Sequence, residues 1–149
     1  MKERATIVCW QHDRILLVER GRSRWSLPGG TIRRDESPVE AARRELAEET
    51  TLDGCELGYL FQFGGLNKRH HVFFSVLPDD VRPTPNNEIQ RCRWFSPRKV
   101  ATLVTSVPTR EIVDLLFSQA TGINARHAPV VLAHSGECLR NQGCATPAG

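Results

Sequence analysis

Glu45, Glu48 and Glu49 stand at i, i+3 and i+4 of the segment 37–52. In a helix that spacing gathers three carboxylates on one face, within about 6 Å of one another. Like charges at such separation repel, and the helical stripe itself offers nothing to offset them, so the cluster asks for a cation. Ligands that are all oxygen and highly charged suit Mg²⁺ or Mn²⁺, and magnesium commonly completes its octahedron with water and substrate phosphates. Arg20, Arg22, Arg24, Arg33 and Arg34 crowd the stretch on either side of Leu27-Pro28-Gly29-Gly30. A basic rim beside an acidic cluster suits a phosphorylated ligand bridged by a metal.

The elements that must position these groups can be read from pattern and punctuation. Ser37 as N-cap, Pro38 at the first helical position and Glu40 three residues beyond the cap predict a helix over 39–50, with Val39, Ala42 and Leu46 as its buried stripe. Residues 5–10 and 15–19 are aliphatic or β-branched runs separated by Gln11-His12-Asp13-Arg14, a hairpin-length spacer. The stretch 20–35 reads as irregular loop apart from a brief extended piece at 25–27. Further strands are expected at 55–63, 70–77 and 89–95, and helices at 99–103 and 108–119. Strands and helices that mix without strict alternation predict an α+β domain whose sheet carries helices on its faces, a three-layer α/β/α sandwich. One domain over 1–122 and a tail over 123–149, weakly ordered or packed on the domain as a partner strand, account for the chain.

The ordinary alternative for an acidic cluster is a solvated helix face. What precedes the cluster argues against it here. Gly30, Glu36, Arg44-Glu45-Leu46-Ala47-Glu48-Glu49 and Leu52 have the spacing of the Nudix box, and six specified residues at fixed offsets arise by chance at on the order of one in ten million per start position. From about residue 5 to 119 the chain resembles the Nudix (MutT-like) hydrolases. That resemblance implies a mixed sheet and an Mg²⁺-dependent enzyme, with Mn²⁺ as substitute, that acts on phosphoric anhydride bonds. It implies that Glu45, Glu48 and Glu49 hold the metal with the Gly30 carbonyl, that Glu36 braces Arg44, and that Arg44 orients the catalytic carboxylates. Glu88, in a Pro/Asn-rich loop before a strand, resembles an additional metal-binding or base glutamate of some members, with an ordinary loop glutamate equally weighted and Asp79 and Asp80 as weaker candidates.

One position departs from the family. Thr51 stands where the box has glycine, the residue that would end the helix in a left-handed conformation. Either Thr51 avoids that conformation and Asp53-Gly54 make the turn, or the helix end is strained.

Substrate contacts are expected from Arg22, Arg24 and Trp25, with Lys68 and Arg69 as further phosphate candidates and solvated surface charge the ordinary reading of any one of them. Trp25 and Phe63 could stack on a base, although core packing suits them equally. His70 and His71 open a strand, but two histidines do not make a zinc site. A net charge of +3 from 20 basic and 17 acidic residues is too small to argue for nucleic-acid binding. Five cysteines without a CxxC pair read as thiols of a reducing cytosol, and no signal peptide or spanning run is seen, so a cytoplasmic protein is expected. The leading function is hydrolysis of the diphosphate linkage in a nucleoside diphosphate derivative, with sanitation of oxidised nucleoside triphosphates one option within it. A nucleotide-sensing domain without catalysis and cleavage of dinucleoside polyphosphates or capped RNA are the alternatives; a homodimer is compatible with all of them.

Overall fold

The computed structural model describes residues 1–117. The expected tail from 123, Cys138, Cys144 and the last two positions of the 108–119 helix lie outside the described residues. Along the chain run β1 (Lys2–Gln11), β2 (Arg14–Glu19), β3 (Trp25–Ser26), β4 (Gly29–Thr31), α1 (Pro38–Thr50), β5 (Gly58–Gly64), β6 (Lys68–Val76), β7 (Arg91–Phe95), α2 (Pro97–Val100) and α3 (Val107–Phe117).

β1 is the hub of a mixed seven-stranded sheet. It runs parallel to β6 from Lys2↔Lys68 to Trp10↔Val76, while its other edge pairs antiparallel first with β4 and then with β2. β2 continues the sheet by pairing with β3 and β7. The two-residue turn between β1 and β2 holds His12 and Asp13 at φ 51° and 61°, the twist that suits a tight hairpin. Alternation along the strands then separates two cores. Ile7, Cys9, Leu16 and Phe73 pack with Ala42 and Leu46 of α1 on one face. Val8, Trp10, Leu17 and Phe74 pack with Val100 and with Ile112 and Leu116 of α3 on the other. The expected three layers are therefore observed, and among the described residues no helix is long and apolar enough to cross a membrane.

The sequence placed residues 28–35 in loop, but Gly29–Thr31 form strand β4. Glycines carry little strand propensity, so nothing local announced it. Close approach explains it: a Cβ on Gly29 would overlap the carbonyl oxygen of Ala5 on β1, and Gly29 sits at φ +153°. Only glycine lets the two backbones meet there. Strands β5 and β7 also begin later than expected, at Gly58 and Arg91, and α2 begins earlier, at Pro97.

α1 forms where its caps predict. The Ser37 hydroxyl accepts from the Glu40 amide and the Glu40 carboxylate accepts from the Ser37 amide, so two amide donors at the helix start are satisfied reciprocally. At the other end Thr51 adopts the left-handed conformation itself, φ 61° and ψ 9°, and its amide donates to the Ala47 carbonyl. The helix end is thus the strained alternative, with a β-branched residue in a glycine's geometry. Thr51→Gly is expected to raise stability by about 1 kcal/mol, or about 3 °C in melting temperature, whereas Thr51→Ala keeps the Cβ and changes it by less than half as much. Thermal unfolding of the three proteins reads the difference.

Candidate active site

α1 lies beside β4 and presents its charged face to the strand's glycines. Arg44 organises that face. Its Nε and Nη2 grip both oxygens of Glu36 at 2.5 and 2.9 Å, Nη2 also donates to the Thr31 carbonyl at 3.1 Å, and Nη1 donates to Glu45 Oε1 at 2.7 Å and Glu48 Oε1 at 3.0 Å. A planar guanidinium with fixed donor directions is suited to such a junction, which lysine could not reproduce. The Glu36 carboxylate accepts from the Arg33 amide as well. Led by the Arg44 hydrogen bonds, these contacts hold its pKa at about 2.

Glu49 is arranged differently. It is 3% exposed, accepts from the Gly29 amide at 3.0 Å, and is paired with Arg20 Nη1 at 2.5 Å. Burial raises its pKa, with Arg20 and the Gly29 amide opposing the rise. Arg20 Nη2 further donates to the Gly29 carbonyl, and Nη1 lies 3.5 Å from Glu88. The sequence reading left the acids without an internal counter-charge; instead Arg44 serves two of them and Arg20 the third.

Glu45 packs directly on Gly30, where a Cβ would collide with its carboxyl group. Gly29, Gly30, Arg4, Arg20, Glu45 and Glu88 line a cavity of about 450 Å³. Glu88, 76% exposed on its side chain, therefore reaches the same opening as the box from a loop far along the chain. Asp79 does not; it stands by His12 at the β1–β2 turn. Trp25 needs correction as a substrate contact. Its ring is 6% exposed, edge-on to Phe95, with the Arg91 guanidinium 5.1 Å from its centroid, so it is a core residue rather than an open stacking surface. Phe63 is half-buried against the same core and edge-on to His70. Arg22 is exposed at φ 56° and does not line this cavity, whereas Arg24 lines a second cavity beside it that Arg22 does not reach. Arg69 and His71 meet Glu3.

Arg20 and Arg4 are the residues that spacing did not single out. Arg20 was visible only as one of five rim arginines. Arg4 sits near the chain start and reaches the site because Arg4 pairs with Thr31 across β1 and β4. It is half-buried, and burial and Arg20 lower its pKa while Glu45 and Glu49 oppose that.

The donors fit a hard divalent cation. Two carboxylates already converge on one cationic nitrogen, and the Gly30 cradle admits a third atom close to Glu45 only because it lacks a side chain. Among the described residues no three metal-type side chains stand together at ligating distance, because Glu49 is turned to Arg20. All the candidate donors are oxygen, the class that suits Mg²⁺ or Mn²⁺ and not a thiolate- or imidazole-seeking metal.

Comparison with known proteins bears on this arrangement. The NUDIX domain model matches residues 1–116. A Bacillus subtilis (strain 168) protein provisionally named an 8-oxo-dGTP diphosphatase is 30% identical over 112 residues, 72% of this chain and 74% of that protein. Phosphatase NudJ of Escherichia coli (strain K12) is 29% identical over 110 residues, 66% of this chain and 72% of that protein. Among solved structures, a provisionally assigned nudix hydrolase family member from Chromobacterium violaceum superposes with a TM-score of 0.72 at 29% identity, covering 95% of this chain and 88% of that one.

Two outcomes are expected from the geometry. The Glu36 carboxylate, held at about 2 against an ordinary 4.5, contributes stability that is present above pH 4.5 and is lost as pH falls from there through 2. Acid unfolding followed by circular dichroism should therefore be less steep in that window for Glu36→Gln than for the parent. Gly30→Ala should leave the melting temperature nearly unchanged, because only the end of the Glu45 side chain must move. It should cost about a hundredfold in kcat/KM, the typical consequence of misplacing a reacting group by about 1 Å.

Proposed function

The chain belongs to the Nudix family of hydrolases, which act on phosphoric anhydride bonds, and from that premise we propose that it cleaves the diphosphate linkage of a nucleoside diphosphate derivative with Mg²⁺, or Mn²⁺ in its place, at the box on α1. The observation that carries the reading is the convergence of Glu45 and Glu48 on the Arg44 guanidinium beside a strand of two glycines. A divalent metal is the family's general cofactor. Glu45, Glu48, Glu49 and the Gly30 carbonyl would hold it, and when bound it would neutralise charge on the diphosphate and make a coordinated water more acidic.

The protein's own groups have distinct parts in this reading. Arg44, kept protonated by Glu36 and Glu45, fixes the rotamers of Glu45 and Glu48 so that both oxygens aim at one point. Glu88, exposed at the rim of the cavity, accepts the proton of the attacking water. Arg20 and Arg4 face the same opening and clamp phosphate oxygens as negative charge grows on them. Arg24 contributes from the neighbouring cavity, and the exposed Arg22 adds positive charge beside it without touching the reacting atoms. In-line attack on phosphorus then releases a nucleoside monophosphate and the other phosphorylated group. A reducing, cytosolic setting belongs to the same reading; among the described residues Cys9, Cys55 and Cys92 are free thiols. The Bacillus relative's name puts oxidised deoxynucleoside triphosphates among the first substrates to screen.

A panel of nucleoside di- and triphosphates and dinucleotides, assayed with Mg²⁺ for release of the nucleoside monophosphate, tests this directly. Turnover should vanish on chelation, return with Mg²⁺ or Mn²⁺, and fall at least about a hundredfold in Glu48→Gln at unchanged melting temperature. Tight nucleotide binding by the parent with no turnover of any panel member would instead make it a sensor.

A further inference from the structure

A second cavity, of about 550 Å³, opens on the other side of Arg4 and Arg20, which line both. Its floor is β1 and β6, and its wall is the segment that leads into α3. That segment is fixed to β3: the Trp25 amide donates to the Val104 carbonyl, the Ser106 amide to the Trp25 carbonyl, and the Leu27 amide to the Thr109 hydroxyl. The start of α3 is thereby held at the cavity, with Val107, Pro108 and Thr109 on its lining.

Charge, polarity and shape in this cavity agree. Arg4, Arg20, Arg24 and Lys68 line it and no carboxylate does. Among the described residues, Arg4, Arg24 and Lys68 have no ion-pair partner. α3 has no acidic residue in its first turn to use the positive end of its dipole. Three of the four buried side-chain polar atoms that lack a hydrogen-bond partner among the described residues, Ser26 Oγ, His70 Nε2 and Thr105 Oγ1, belong to residues that line it. An unmatched buried polar atom is costly, and three of them belong to residues around one opening. His70 is 5% exposed, and its Nδ1 is engaged by the Thr6 hydroxyl at 2.9 Å. When Thr6 donates in that bond, the ring offers its remaining proton from Nε2. Burial first, then Arg4 and Lys68, lower the His70 pKa to about 4, so the ring is a neutral donor near pH 7. No Phe, Tyr or Trp ring lines the cavity.

We propose that this cavity is a second anion site, built for a phosphoryl group that the substrate carries in addition to the diphosphate cleaved at the box. The proposal rests on the diphosphate-hydrolase reading for its place in a reaction, but the anion site stands on its own residues. Two sources share this chemistry: the far phosphates of a polyphosphate chain, or a phosphate monoester on the sugar of the departing group.

Calorimetric titration of the full chain in the presence of a chelator, with inorganic tripolyphosphate and separately with ribose 5-phosphate, tests the site without turnover. Arg24 and Lys68 are exposed, so the double variant Arg24→Gln/Lys68→Gln should keep the fold, which circular dichroism verifies. At least one probe should bind the parent more tightly than sulfate, and the double variant should weaken that binding by about tenfold or more. Preference for tripolyphosphate assigns the site to a polyphosphate chain; preference for ribose 5-phosphate assigns it to a sugar phosphate. Equal affinity of parent and double variant, or no probe tighter than sulfate, overturns the proposal. Variant-sensitive anion binding by a protein that hydrolyses no diphosphate would sink the function proposed above and leave this site standing. Hydrolysis with no such binding would do the reverse.

Discussion

A single guanidinium carries the architecture of the charged face of α1. Arg44 touches Glu36 in the loop before α1, the Thr31 carbonyl at the end of β4, and Glu45 and Glu48 on its own helix. Strand, loop and helix are thus tied at one point, and the geometry of that point decides where two carboxylates aim. Because the donors of a guanidinium are coplanar and fixed in direction, the strand-to-helix distance and the carboxylate positions are set together.

A second arginine solves a different problem in the same place. Glu49 lies on the inner side of α1, where a bare carboxylate would be strongly penalised. Arg20 and the Gly29 amide offset part of that penalty, although burial outweighs them and keeps the Glu49 pKa raised. The acidic helix can therefore fold with its charges compensated from within the chain. Any cation that enters does so in competition with arginine side chains and not into a field of unpaired negative charge.

Much of this was legible in the sequence where a local rule governs. The Ser37-Pro38-Glu40 cap gave the start of α1, the i, i+3, i+4 spacing gave the shared face of Glu45, Glu48 and Glu49, and the position of Glu88 before a strand pointed to the loop that meets the box. What was not legible depends on contacts between distant segments. Strand β4 exists because Gly29 can approach Ala5, and a glycine pair reads as loop until its partner is known. Arg4 matters through its pairing with Thr31. Trp25 has the composition of a ligand platform and the burial of a core residue, a distinction that a single aromatic letter does not contain. The cavity at the start of α3 joins residues from four stretches of the chain, and no spacing rule links them.

The parallel pairing of β1 with β6 has a consequence for how the molecule comes into being. Residues 2–10 meet 68–76, so the middle of the sheet cannot close until residues 68–76 have been made, whereas the β1–β2 hairpin and α1 can form early from neighbours in sequence. Until that late strand arrives, one long edge of β1 with its aliphatic side chains is bare. The interval between synthesis of β1 and arrival of β6 is when the nascent chain is most exposed to association with other chains, and aggregation, if it occurs, should begin at that edge.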